Sequence, residues 1–116
     1  MHRDVTMKIR ILADDLTGAL DTAAAFAGEV PVWIDRPGEH ADGDDAAVSV
    51  VATATRDVER SELASLLAPG IAWLRAGDVW FKKVDSLLRG NTFAECAMLG
   101  RDAARIVFAP AYPAQG

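Results

Sequence analysis

Short apolar runs alternate with segments of helical period along this chain. Residues 8–13 (KIRILA), 31–35 (PVWID), 47–53 (AVSVVAT), 79–84 (VWFKKV) and 105–110 (RIVFAP) are apolar, mostly with β-branched or aromatic side chains, and predict strands. Residues 19–28 are dominated by alanine, the best helix former, and stop at Gly28, a suitable C-terminal cap. Residues 58–68 set Leu63, Leu66 and Leu67 on one helical face. Thr92 and Glu95 stand at capping-box spacing and open a third helix that runs to about Gly100. The stretch 14–18 (DDLTG) reads as a polar turn and 36–45 (RPGEHADGDD) as a surface loop.

Strands separated by helices of about ten residues point to βαβ units. The runs lack polar–apolar alternation, as expected when both faces of a sheet are covered. The expected fold is α/β: three layers, a mostly parallel five-stranded sheet with helices on both faces, a Rossmann-like or flavodoxin-like half domain. In such sheets ligands bind beyond the carboxyl ends of the strands, and polar residues gather there. The first strand runs into Asp14, Asp15, Thr17 and Gly18, and the third into Arg56. The fourth passes through Lys82 and Lys83 into Asp85, Ser86, Arg89, Gly90 and Asn91. The third helix begins just past Asn91, and its free amides favour an anion.

Adjacent residues on a strand point to opposite sides, so Asp14 and Asp15 are expected to do different work, one facing a ligand and one structural. The same pair also suits an ordinary strand-to-helix cap. Lys82 and Lys83 alternate likewise: one should run its stem toward a helix layer and the other reach the ligand, and the sequence does not choose between them. Arg56 is an ordinary surface arginine taken alone, but on a shared edge its fork can grip a carboxylate with two bonds. Cys96 suits the buried face of the third helix as a small core residue. Trp33, Trp73 and Trp80 suit the core or helix packing, and Asp42, Asp44 and Asp45 a solvated loop face.

Composition narrows the function classes. At 116 residues the chain makes one small domain, and its formal net charge of −5 disfavours nucleic acid as a partner. No run of about 18 apolar residues is present, so no membrane span is expected. The N-terminus lacks the long apolar core of a secretory signal. The single cysteine excludes an internal disulfide framework and suits a cytoplasmic location. His2 and His40 lack metal-ligand spacing. Neither GxxxxGK[ST] nor GxGxxG occurs, so no nucleotide-binding fingerprint is present. A bacterial receiver domain would place an aspartate at the end of strand three and a lysine after strand five, where this chain reads VVATATR and FAPAYPAQG. Haloacid-dehalogenase-type phosphatases separate their two aspartates by one residue, and here the pair is adjacent.

Three segments carry a more specific resemblance: ILADDLTGALDTAAAFA, VDSLLRGN preceded by FKK, and FAPAYPAQG. In this order they resemble the signature segments of the four-carbon acid sugar kinase family, which includes enzymes similar to 3-oxo-tetronate kinase and D-threonate kinase. The resemblance implies a two-domain enzyme that phosphorylates a terminal hydroxyl of a sugar acid such as threonate. Its N-terminal domain would hold the sugar acid, and a C-terminal domain would carry ATP and Mg2+. This chain resembles the first half of that N-terminal domain. Residues 1–116 are therefore expected to be a partial acid-sugar-binding domain without the ATP-binding domain, binding a small-molecule sugar acid but not catalytic alone.

On this resemblance Arg56, Arg89 and one of Lys82 and Lys83 would take the carboxylate of the sugar acid. Asp15, Asp85, Ser86 and Asn91 would hydrogen-bond its hydroxyls, and Asp14, Thr17, Gly18 and Gly90 count with them as substrate-binding. Asp85 and Asp15 are both candidates for the base that accepts the hydroxyl proton. Two positions depart from the family pattern: Leu87 stands for the usual threonine, and Thr55 where an aspartate–serine pair usually precedes the arginine. Two other readings stand beside the kinase fragment. One is a free-standing ligand-binding or receiver-like signalling module. The other is a truncated gene product without function.

Overall fold

The computed structural model of the protein describes residues 7–35, 46–101, 103 and 105–109. His2, His40, the acidic loop with Asp42, Asp44 and Asp45, and the segment from Pro110 onward lie outside the described residues. The elements in chain order are β1 (Ile9–Ala13), α1 (Leu16–Ala24), β2 (Val32–Ile34), β3 (Val48–Ala52), α2 (Arg60–Arg75), β4 (Val79–Lys83) and α3 (Thr92–Gly100). All strand pairs are parallel, and the sheet order is β2-β3-β1-β4. This differs from the 2-1-3-4-5 order of flavodoxin-like and receiver folds and from the Rossmann order 3-2-1-4-5-6, because β1 lies between β3 and β4.

Alternation along the strands divides the core into two layers. Leu12 and Val51 face one way and pack with Leu63, Leu67, Trp73 and Leu74 of α2 and Leu99 of α3. Ile11, Ala13, Val50 and Ala52 face the other way and pack with Ala19 of α1. Both faces of the central strands β1 and β3 are thus covered, which is why they read as largely apolar runs. Helix α1 begins earlier than its alanine content predicts, because Asp15 caps it: its Oδ1 accepts from the Gly18 amide at 3.1 Å. Helix α2 continues through Pro69, where the sequence signal stops. Proline there costs a backbone hydrogen bond, and the extra turns bury Gly70, Trp73 and Leu74 against the sheet in compensation.

The sheet among the described residues has four strands, not five. Residues 105–109 form no ladder, and Ile106, Val107 and Phe108 are exposed. Ile106 leans over Gly100 at the end of α3, where a side chain on that glycine would collide with it. A cavity of about 580 Å³ bordered by Trp80, Phe81, Leu99 and Phe108 separates this segment from β4. A strand needs a partner about 5 Å away to satisfy its amides, so the apolar character of RIVFA alone does not make it one.

Candidate functional site

Register determines what meets at the sheet edge. Ala13 lies opposite Ala52 on one side and Lys83 on the other, so three strands end at one level. The chain leaves β1 toward the α1 face and leaves β3 and β4 toward the α2–α3 face, which opens a crevice between the three loops. Asp14, Asp15, Arg56, Asp85 and Arg89 converge there.

Arg56 is the hub. Its Nε and Nη2 donate to Asp14 Oδ2 and Oδ1 at 3.4 and 3.3 Å. The same Nη2 lies 3.1 Å from Asp15 Oδ1 and 3.3 Å from Asp85 Oδ1. Burial works against the Arg56 cation, but the Asp14 hydrogen bond and the charges of Asp14, Asp15 and Asp85 outweigh it and raise its pKa. Arg89 grips Asp85 with both arms of its fork, at 2.8 and 2.7 Å. Asp85 Oδ2 also accepts from the Leu87 and Arg89 amides at 3.0 and 3.1 Å. The Arg89 side chain holds the Asp85 carboxyl well below the usual carboxylate range against the opposing effect of burial, aided by those amides and by the charge of Arg56. Asp85 in turn raises the pKa of Arg89. Neither Arg56 Nη1 nor Arg89 Nη1 has a partner among the described residues.

Glycines make this approach feasible. Gly90 has φ of +74°, and a Cβ there would stand 2.5 Å from the Arg56 carbonyl oxygen. The β4–α3 loop can therefore lie directly on the Arg56 backbone. At Gly18 a Cβ would stand 2.7 Å from Asp15 Oδ1 and would break the cap.

The two adjacent aspartates are held differently. Asp14 is buried and committed to Arg56, whereas Asp15 is half-buried, caps α1 with Oδ1 and leaves Oδ2 unpartnered among the described residues. The lysines separate as alternation requires. Lys82 turns to the α3 face, its Nζ 3.1 Å from Glu95 Oε1 and donating to the Lys83 carbonyl. Lys83 lies on the α1 face beside Gly18, with its Nζ donating to the Val84 carbonyl at 2.6 Å. Asn91 turns inward and donates to the Thr55 and Val58 carbonyls at 3.2 and 2.9 Å, tying one loop to the other. Thr17 and Ser86 are exposed, and Ser86 lines the cavity beside β4. Asn91 is also the N-cap residue of α3, without a side-chain cap bond.

The capping box predicted for Thr92 and Glu95 does not form. Thr92 Oγ1 donates to the Arg89 carbonyl at 2.9 Å, and Glu95 is fully buried with Oε2 accepting from Thr55 Oγ1 at 2.7 Å. Capping spacing concealed this role. The only sequence hint was a threonine directly before Arg56. Cys96 is half-buried, and burial pushes its thiol pKa up, away from a nucleophile's range.

Among the described residues no group of three His, Cys, Asp or Glu side chains could hold a metal ion, and no helix is long and apolar enough to cross a membrane. Comparison with known proteins bears on what this arrangement recognises. Residues 9–116 match the family described as the sugar-binding N-terminal domain. The chain is 37% identical over 112 residues to a D-threonate kinase of Cupriavidus necator, an alignment covering 91% of this chain and 26% of that protein. It is 39% identical over 120 residues to a D-threonate kinase of Bordetella bronchiseptica, covering 93% of this chain and 29% of that protein. The chain thus spans less than a third of the length of these curated relatives. No solved structure matches it significantly.

Proposed function

The chain belongs to the sugar-binding N-terminal domain family, and on that premise we propose that it is the substrate-holding part of a four-carbon acid sugar kinase. The observation that carries the reading is the Arg56–Arg89 pair set among Asp14, Asp15 and Asp85 at one sheet edge. A tetronate offers a carboxylate at one end and hydroxyls along its length. The Nη1 groups of Arg56 and Arg89, which have no partner among the described residues, and Lys83 beside α1 suit the carboxylate. Asp15 Oδ2 and Ser86 suit the hydroxyls.

Phosphoryl transfer to a hydroxyl rests on positioning, cationic charge and a group that accepts the hydroxyl proton. Asp85 is the poorer acceptor of the two candidates, because its bonds to Arg89 and two amides hold it firmly ionised. We assign it the task of fixing Arg89. Asp15, whose Oδ2 is open, is assigned the proton. ATP and Mg2+ do not fit the described residues. The carboxylates of Asp14, Asp15 and Asp85 turn onto Arg56 rather than toward a common cation, and no glycine-rich phosphate loop is present. The donor nucleotide is therefore assigned to a separate ATP-binding domain, with this chain supplying the acceptor site and no turnover of its own.

The test is calorimetric titration of the folded chain with D-threonate, erythronate, 3-oxo-tetronate and butyrate, beside an Arg89→Ala variant. The reading expects heat with a tetronate, none with butyrate, and loss of the signal in the variant. Equal binding of butyrate, or binding that Arg89→Ala leaves intact, would refute it.

A further inference from the structure

A buried polar chain runs beneath the Arg56 cluster and joins all three strand ends that feed it. Thr53 Oγ1 lies 3.1 Å from the Ala13 carbonyl oxygen of β1 and 2.7 Å from Thr55 Oγ1. Thr55 Oγ1 lies 2.7 Å from Glu95 Oε2, and Glu95 Oε1 lies 3.1 Å from Lys82 Nζ of β4. Thr55 is 1% exposed and Glu95 0%. The protons along this chain can be ordered. The Ala13 carbonyl oxygen accepts both the Thr53 amide, at 2.8 Å, and the Thr53 hydroxyl, whose proton is shared with Thr55 Oγ1. Thr55 then gives its own proton to Glu95, which as a carboxylate can only accept. Lys82 supplies the opposite charge on the far side.

Between the two threonines sits Ala54, with φ of +56°. A residue with a Cβ is disfavoured in that region and persists there only where its surroundings enforce it. The enforcing contacts are visible. The Thr53 and Thr55 hydroxyls are bonded to each other across Ala54, Glu95 holds Thr55 from one side, and Asn91 Nδ2 holds the Thr55 carbonyl at 3.2 Å. The next residue is Arg56.

We propose that Thr55 and Glu95 are positioning residues that hold Ala54 in its left-handed conformation and thereby aim Arg56 at the three aspartates. Their effect on ligand binding rests on the reading of this site as the one that takes a sugar-acid carboxylate. Their effect on Arg56 does not.

The experiment uses the whole chain with two readouts: the calorimetric Kd for D-threonate, and the Arg56 Nε–H resonance, which persists near neutral pH while the guanidinium is held. Thr55→Val keeps the shape and removes the hydroxyl. Its expected result is a Kd raised about tenfold, the scale of one hydrogen bond to a charged group, and a broadened Arg56 resonance. Adding Ala54→Gly, which adopts the left-handed conformation without support, should recover most of the affinity and the resonance. A purely structural role for Thr55 would not respond to that second change. An Arg56 resonance unchanged in Thr55→Val, or one lost and not regained in the double variant, overturns the proposal. A wild-type chain that binds no D-threonate, yet loses the resonance in Thr55→Val and regains it in the double variant, refutes the sugar-acid reading and upholds the positioning role. Should Thr55→Val not fold, Thr55→Cys, with its weak donor, is read instead. A partial loss upholds the role and no loss overturns it.

Discussion

The two sides of β4 differ sharply in how their groups are satisfied. At its carboxyl end, with the ends of β1 and β3, the charges of Asp14, Asp15, Arg56, Asp85 and Arg89 all meet a countercharge or an amide, and Glu95 and Lys82 meet beneath them. Along its outer edge Val79, Trp80 and Phe81 are exposed, as are Ile106, Val107 and Phe108 across the cavity. Buried charge is costly unless paired, so the carboxyl end tolerates little change and each of its groups depends on the others. Exposed apolar side chains cost far less one at a time. Substitutions will therefore be felt more strongly at the carboxyl end than along the outer edge.

The largest effect is expected from Asp85→Ala. It removes the acceptor of two backbone amides and leaves Arg56 and Arg89 without a shared partner. Stability should fall by about 3 kcal/mol, read by urea denaturation. A loss under about 1 kcal/mol would mean that the loop is held by other contacts. Gly90→Ala should follow, at about 2 kcal/mol, because it adds strain at a positive φ and a collision with the Arg56 carbonyl. Thermal denaturation reads it.

Acid separates the two regions next. The folded-state pKa of Asp85 is depressed. Its contribution to stability is therefore complete above the ordinary carboxylate pKa of about 4 and is lost as pH falls below that value. Denaturation midpoints should be flat from neutral pH down to about 5 and then drop, and Asp85→Asn should flatten the drop. At the other extreme, Val107→Ser on the outer side should change stability by less than about 0.5 kcal/mol. A larger loss would show that Val107 is packed in solution rather than exposed.

The same division explains what the sequence made legible. Four of the strands, the three helices and the convergence of 14–18, 56 and 85–91 follow from local period and from strand-end chemistry, which act over a few residues. What failed depends on distance. Glu95 carried the spacing of a cap, yet its partners are Thr55, 40 residues away, and Lys82. Lys82 and Lys83 could be told apart only once β1 fixed the register. Helix α2 passes Pro69 because of core contacts that no local rule contains. RIVFA has the composition of a strand but no ladder, since a strand is defined by its neighbour as much as by its residues.

The most direct test of the account is a backbone NMR titration of the chain with D-threonate, which reads both sides of β4 at once. Shifts are expected at residues 14–18, 55–56 and 85–91, saturating with added ligand, and none at residues 105–109. Shifts confined to Val79, Trp80, Phe81 and the 105–109 segment, or an unperturbed spectrum from a folded chain, would contradict it.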